Sequence, residues 1–277
     1  MGTDKRNRQK QNKAAAREAR ARQQRRNKVR SRSARWGGIA AVLVIGLFAI
    51  AQLDGGSSTS SSDTTAVASD STAASAAPTL TTLPGEKITG DTPCPKTDGS
   101  EKRVTSFEKA PKMCIDAKKS YTATFDTTEG KIVVALDTAK TPNTVNNFVT
   151  LSRYKYYDGS YVFRTDPNID IIQGGGASNT DDPGYSIQDE GSGFKYKEGD
   201  LVMARTGAPN SAGGQWFFVT GEKASLLDSQ GTYVTFGKVS QGMNVVKGII
   251  ALNSGSGDLG GAPSKAVQIK TVTITES

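Results

Sequence analysis

Residues 162–176 read VFRTDPNIDIIQGGG: an arginine beside a phenylalanine, an isoleucine-rich run, a glutamine and a triple glycine. The chain contains no histidine, which removes every mechanism that needs an imidazole base or ligand. Two cysteines without a CxxC spacing and without histidine make zinc a poor alternative to a disulfide. The glycines Gly174–Gly176 lack the GxGxxG spacing of a dinucleotide fingerprint, and no long helix follows them. Neither a Walker motif nor a GxSxG elbow occurs. The carboxylate pairs at 181–182 and 189–190 read as solvated loop charges, because glycosidase use would also need a sugar-binding groove that the sequence does not indicate. The groups left for chemistry in this stretch are a fixed cation, Arg164, a neutral amide, Gln173, and a tight glycine turn.

The elements that must position these residues are mostly strands. YTATFDTTEGKIVVALD, from Tyr121, shows two β-rich runs joined by TTEG, a hairpin signal. In TPNTVNNFVTLSRYKYY, Thr141 is a predicted N-cap and Pro142 suits the first helical position. Val145, Phe148, Val149 and Leu151 supply the apolar stripe of that helix. Short strands are predicted at 161–164, 169–173, 201–204, 215–220 and 233–239, a second helix at 241–252, and a final alternating strand in AVQIKTVTITE. Many short strands, glycine-rich turns and two helices predict a mainly β, closed or nearly closed barrel.

The net charge of +8 belongs to one end of the chain. Residues 1–35 carry 14 Lys and Arg against Asp4 and Glu18, a local +12, so the remaining chain is near −4. The uncharged run 36–53, WGGIAAVLVIGLFAIAQL, is 18 residues long, at the lower limit for a helix crossing a bilayer. Arg35 abuts its N-terminal end, so the positive-inside rule puts the basic tail 1–35 in the cytoplasm and the rest outside the cell membrane. Two readings of the run stay open: an uncleaved single-pass anchor, and a signal peptide cut near AIA at 49–51. The run exceeds a usual signal core of ~7–15 residues, which favours the anchor. The tail is then a topology determinant, and a nucleic-acid arm is the lesser reading. Residues 54–92, rich in Ser, Thr and Ala, cannot bury enough apolar surface to order themselves and read as a disordered, flexible linker. A segment 93–120 follows, with Cys94 and Cys114. In an exported chain that pair reads as a disulfide closing a loop of roughly 20 residues, with a stabilisation of about 3 kcal/mol from chain entropy.

Over about residues 120–277 the order and spacing of several motifs resemble the cyclophilin-type peptidyl-prolyl cis-trans isomerases. The motifs are YYDGSYVFRTDPNIDIIQGGG (156–176), PGYSIQDE (183–190), LVMARTGAPNSAGGQWFFVT (201–220) and YVTFGKV (233–239). The anchor and cysteine pair lie outside that likeness, in an arrangement similar to exported actinobacterial members. The resemblance implies that 121–277 forms a closed eight-stranded antiparallel β-barrel capped by two helices, with the active site in a groove on its outer face. It assigns Arg164 as the catalytic arginine and Gln173 as the glutamine that opens the glycine turn. Ile171 and Leu227 take pocket positions, and Gln215 and Phe217 the polar and aromatic ones. Trp216 and Phe218 then face the core. Ala204 and Arg205 match the edge strand that pairs with substrate backbone, and Tyr233 replaces a customary histidine.

The resemblance implies a proline-containing polypeptide as partner, no cofactor and no metal, in a protein expected to be monomeric. Rotation about an X-Pro bond needs no nucleophile: a donor to the proline nitrogen favours the twisted state over either planar one. Departures from the family pattern cluster at the rim. Between Arg164 and Gln173 there is one residue more than usual, so either Ile169 or Asp170 occupies the place of a pocket phenylalanine. A carboxylate there would cost desolvation and would suit an alternative, a catalytically weak peptide-binding module or chaperone. Leu226 stands where many members carry tryptophan, which implies weak cyclosporin binding, and Ala208 is inserted in TGAPN.

Overall fold

The computed structural model describes residues 80–257 and 259–277. The expected basic tail 1–35, membrane helix 36–53 and most of the expected linker lie outside the described residues. Among the described residues no helix is long and apolar enough to cross a membrane.

Eight strands form a closed barrel: β3 (Tyr121–Thr127), β4 (Gly130–Leu136), β5 (Ser160–Asp166), β6 (Ile171–Gly176), β7 (Asp200–Met203), β8 (Trp216–Val219), β9 (Thr235–Gln241) and β12 (Val267–Glu276). Their neighbour order is β5-β12-β3-β4-β9-β7-β8-β6, and pairing of β6 with β5 closes the ring. Every pairing in that ring is antiparallel. The alternation seen in the sequence is the inside–outside alternation of the barrel. Tyr121, Ala123, Phe125 and Thr127 are buried along β3, and Ile132, Val134 and Leu136 along β4. Phe125 lies at the centre, its ring centroid 5.2 Å from Trp216, 5.3 Å from Phe218 and 5.8 Å from Phe148. The two helices are α1 (Pro142–Arg153) and α2 (Met243–Ala251); Val145, Phe148, Val149 and Leu151 of α1 are fully buried.

Thr141 does not cap α1 with its side chain. Its hydroxyl donates to the Asp137 carbonyl, and the free N–H groups of the first turn go instead to Glu190. Its two carboxylate oxygens accept from the backbone of Asn143 at 3.0 Å and Thr144 at 2.8 Å. A carboxylate at a helix N-terminus satisfies orphan donors and complements the dipole. The expected solvated charges at 189–190 therefore have structural partners: Asp189 accepts from Arg205 and from the Asn210 backbone.

The expected linker 54–92 ends earlier than its composition suggests. Residues Glu86–Ile88 form β1, parallel to β2 (Val104–Phe107), and Ile88 packs against the core. Val104, Phe107 and Ile115 of segment 93–120 join the same buried cluster as Phe125 and Phe148. Cys94 and Cys114 are bonded, with Cα atoms 5.3 Å apart. A glycine-rich hairpin, β10 (Asn253–Gly257) and β11 (Gly260–Pro263), lies against β5 through the Gly261–Thr165 pairing. A 3-10 helix spans Glu222–Leu227.

Candidate active site

The site is built on the outer face of β5, β6, β8 and β7. Val162 points into the core, paired with Gly174, and Thr165 is fully buried, paired with Ile172. Between them the register slips by one residue, so that Arg164 faces Gln173. Strict alternation would turn Arg164 the same way as Val162; the extra residue, Phe163, forms a β-bulge and turns Arg164 outward. Across the sheet Arg164 pairs with Gln173, Gln173 with Phe217, and Phe217 with Val202. The next outward row is Asp166, Ile171 and Val219. Gly174 faces inward, where an added Cβ would come 2.8 Å from the Trp216 ring.

The polar half of the site is a chain of hydrogen bonds. Arg164 Nε donates to the Leu259 carbonyl at 2.8 Å, Nη1 to Gln173 Oε1 at 3.0 Å and Nη2 to Asp166 Oδ2 at 2.5 Å. The guanidinium keeps N–H hydrogens beyond these three bonds, and its side chain is 13% exposed. Gln173 Nε2 donates to Gln215 Oε1 at 3.0 Å, and Gln215 Nε2 to the Asp181 carbonyl at 2.7 Å. Each amide thus has a fixed orientation. Asp166 escaped the sequence reading; the signal was there as R-T-D, two residues apart on one strand.

Of the residues expected to form the apolar side, Phe217, Ile171, Leu227 and Tyr233 are all buried but outside the main core cluster that holds Trp216 and Phe218. Phe217 and Tyr233 meet edge to face at 5.8 Å. Tyr196, also missed from sequence, completes this group: its ring lies 6.5 Å from Phe217, and its hydroxyl bonds both the N–H and the carbonyl of Tyr233. Burial pushes the Tyr233 phenol upward, and Arg205 and Arg164 oppose that shift by favouring a negative charge.

Asp170 lies outside this apolar group. It sits at φ +49° in the turn between β5 and β6, and its Oδ2 accepts from the backbone N–H of Lys223 at 2.9 Å. The carboxylate therefore caps the first turn of the 3-10 helix. Ala204 and Arg205 lie just past the end of their strand. β7 ends at Met203, and the Ala204 N–H is taken by the Gln215 carbonyl. Arg205 Nη1 turns away to Asp189 and to the carbonyl of the inserted Ala208. A cation only 9% exposed requires an anion and acceptors of this kind.

A family model described as cyclophilin type peptidyl-prolyl cis-trans isomerase/CLD matches residues 122–274. The chain is 35% identical to peptidyl-prolyl cis-trans isomerase-like 1 of Gibberella zeae, over 54% of this chain and 93% of that protein. It is 35% identical to peptidyl-prolyl cis-trans isomerase B of Escherichia coli K12, over 55% of this chain and 99% of that protein. With isomerase cyp18 of Streptomyces antibioticus it shares 34% identity, over 49% of this chain and 86% of that protein.

Proposed function

The chain belongs to the cyclophilin-type peptidyl-prolyl cis-trans isomerases, and from that premise we propose that Arg164 carries its catalysis by stabilising the twisted X-Pro amide. The rotation barrier of a peptide bond, ~18–20 kcal/mol, comes from delocalisation of the nitrogen lone pair into the carbonyl. Twisting localises that lone pair on the proline nitrogen, where a guanidinium N–H is a suitable donor. The bond then strengthens only as the barrier is climbed, which is the condition for acceleration. The observation that carries the reading is the three-point fixation of Arg164 beside the Phe217 row. A cation already oriented loses little to reorganisation when charge develops. Phe217, Ile171 and Leu227 are the apolar surface for a pyrrolidine ring, and Gln173 and Gln215 are amides for the flanking peptide.

The substrates in this reading are proline-containing segments of exported or envelope proteins. The uncharged run 36–53 behind a basic tail and the Cys94–Cys114 disulfide support a domain tethered outside the membrane. The alternative, a catalytically weak binding module, rests on Asp170 and on the altered rim; the Asp170 carboxylate accepts from the Lys223 backbone N–H, which weakens the first of these supports.

The test is isomerisation of an Ala-Pro peptide by the full-length protein. Arg164→Ala is expected to lower kcat by about 100-fold, the size of effect seen on removing one transition-state donor. Wild-type turnover in a folded Arg164→Ala protein would overturn the role of Arg164.

A further inference from the structure

The Asp166 carboxylate touches Arg164 and is 1% exposed, far from the usual surroundings of an aspartate. One oxygen accepts from Arg164 Nη2, and the other accepts from the backbone N–H of Asn168 at 3.0 Å. The carboxylate is thus itself held in place. Its burial is built into the neighbouring hairpin. Gly260, at φ +74°, approaches so closely that an added Cβ would lie 2.6 Å from Asp166 Cα and 2.3 Å from the Thr165 carbonyl oxygen. Only glycine fits both that backbone conformation and that approach, and the approach lets β11 close over the end of β5.

We propose that Asp166 is a positioning residue of the active site, setting the orientation in which the Arg164 guanidinium meets the proline nitrogen. The proposal rests on the reading of Arg164 given above. A guanidinium is a rigid planar fork. Leu259 holds Nε from the hairpin and Gln173 holds Nη1 from the next strand. Those two acceptors are neutral, whereas Asp166 bonds Nη2 with a charge and from along the same strand. Three acceptors in three directions fix both the plane of the fork and its rotation in that plane. Charge-assisted bonds are roughly twice as strong as neutral ones, so Asp166 dominates the set. Loss of such a constraint costs rate without costing binding, because a displaced donor still leaves the apolar surface intact.

Asp166→Asn keeps the volume and one acceptor while removing the charge. The expected result for the full-length protein is a fall in kcat of about tenfold with KM changed by less than about twofold. In an Arg164→Ala background the same substitution is expected to cost nothing further, because there is no guanidinium left to position. Wild-type kcat in folded Asp166→Asn overturns the proposal, and so does an equal loss with and without Arg164. In both cases the role of Arg164 stands; if Arg164→Ala alone keeps wild-type kcat, it is that role which fails. Should Asp166→Asn not fold, the wild-type protein still decides. Separate 15N resonances for Arg164 Nη1 and Nη2, the sign of hindered rotation, support the proposal, and a single averaged resonance overturns it.

Discussion

Arg164 reaches the outer face because Phe163 is an extra residue in β5, and this sets a limit on what residue-level reading delivers. The type of Arg164 and its distance from Gln173 were visible in the sequence, as was the division of WFFV into core Trp216 and Phe218 and outward Phe217. The outward turn of the Arg164–Asp166 pair was not, because a bulge changes which face a residue occupies and leaves no mark on the period of the chain. Asp170 was ambiguous for a related reason: a single added residue in a turn can be assigned to several places. The structure gives Asp170 a capping role on Lys223 N–H, and this carries a prediction. Asp170→Ala should lower stability by about 1 kcal/mol through the lost cap, read as a shift in the urea midpoint. Its kcat/KM should stay within about threefold of wild type, since no pocket contact is removed. If the carboxylate did face the proline, removing it would relieve desolvation, and a tenfold gain in kcat/KM would count against the capping role.

At the scale of elements, legibility follows locality. Strands β3 and β4 and helix α1 were readable because their apolar periods, 2 and 3.6, are properties of short windows. The β10–β11 hairpin was not: NSGSG and GGAP have no alternating apolar residues, and the segment is held by its neighbour β5. The bonded cap of α1 was not legible either: Thr141 stands at the N-cap position without a side-chain bond, and the acceptor, Glu190, comes from far along the chain. Glu190 takes the Asn143 and Thr144 backbone N–H groups as well as the Asn143 amide and the Thr144 hydroxyl. In sequence Glu190 is indistinguishable from a solvated loop acid. The two roles separate under mutation. A solvated acid changes stability by less than about 0.5 kcal/mol when replaced, whereas a cap with this many bonds is worth ~1–2 kcal/mol. Glu190→Ala is therefore expected to lower the urea-unfolding free energy by that larger amount, and a change of less than about 0.5 kcal/mol would remove the capping role.

At the scale of the whole molecule, the family match begins at residue 122, but the hydrophobic core begins earlier. Val104, Phe107 and Ile115 belong to the cluster that includes Phe125 and Phe148. Phe107 meets Tyr154 and Tyr185 edge to face at 5.5 and 6.1 Å, and the Cys114 N–H is accepted by Asn146 of α1 at 2.7 Å. The segment is thus an extra layer over α1, and the Cys94–Cys114 bond staples the loop that carries β2. Composition could identify the cysteine pair but not this packing, because Val104, Phe107 and Ile115 are too far apart to show a period. The disulfide loop supplies none of the residues bonded to Arg164, Gln173 or Gln215. Stability and turnover should therefore separate. Replacing both cysteines by serine is expected to lower the unfolding free energy by about 3 kcal/mol, from the chain entropy returned to the unfolded state. At 25 °C, where the folded form still dominates, kcat/KM for an Ala-Pro peptide should stay within about twofold of wild type. A large fall in kcat/KM with little change in unfolding free energy would instead make the stapled layer part of the catalytic apparatus.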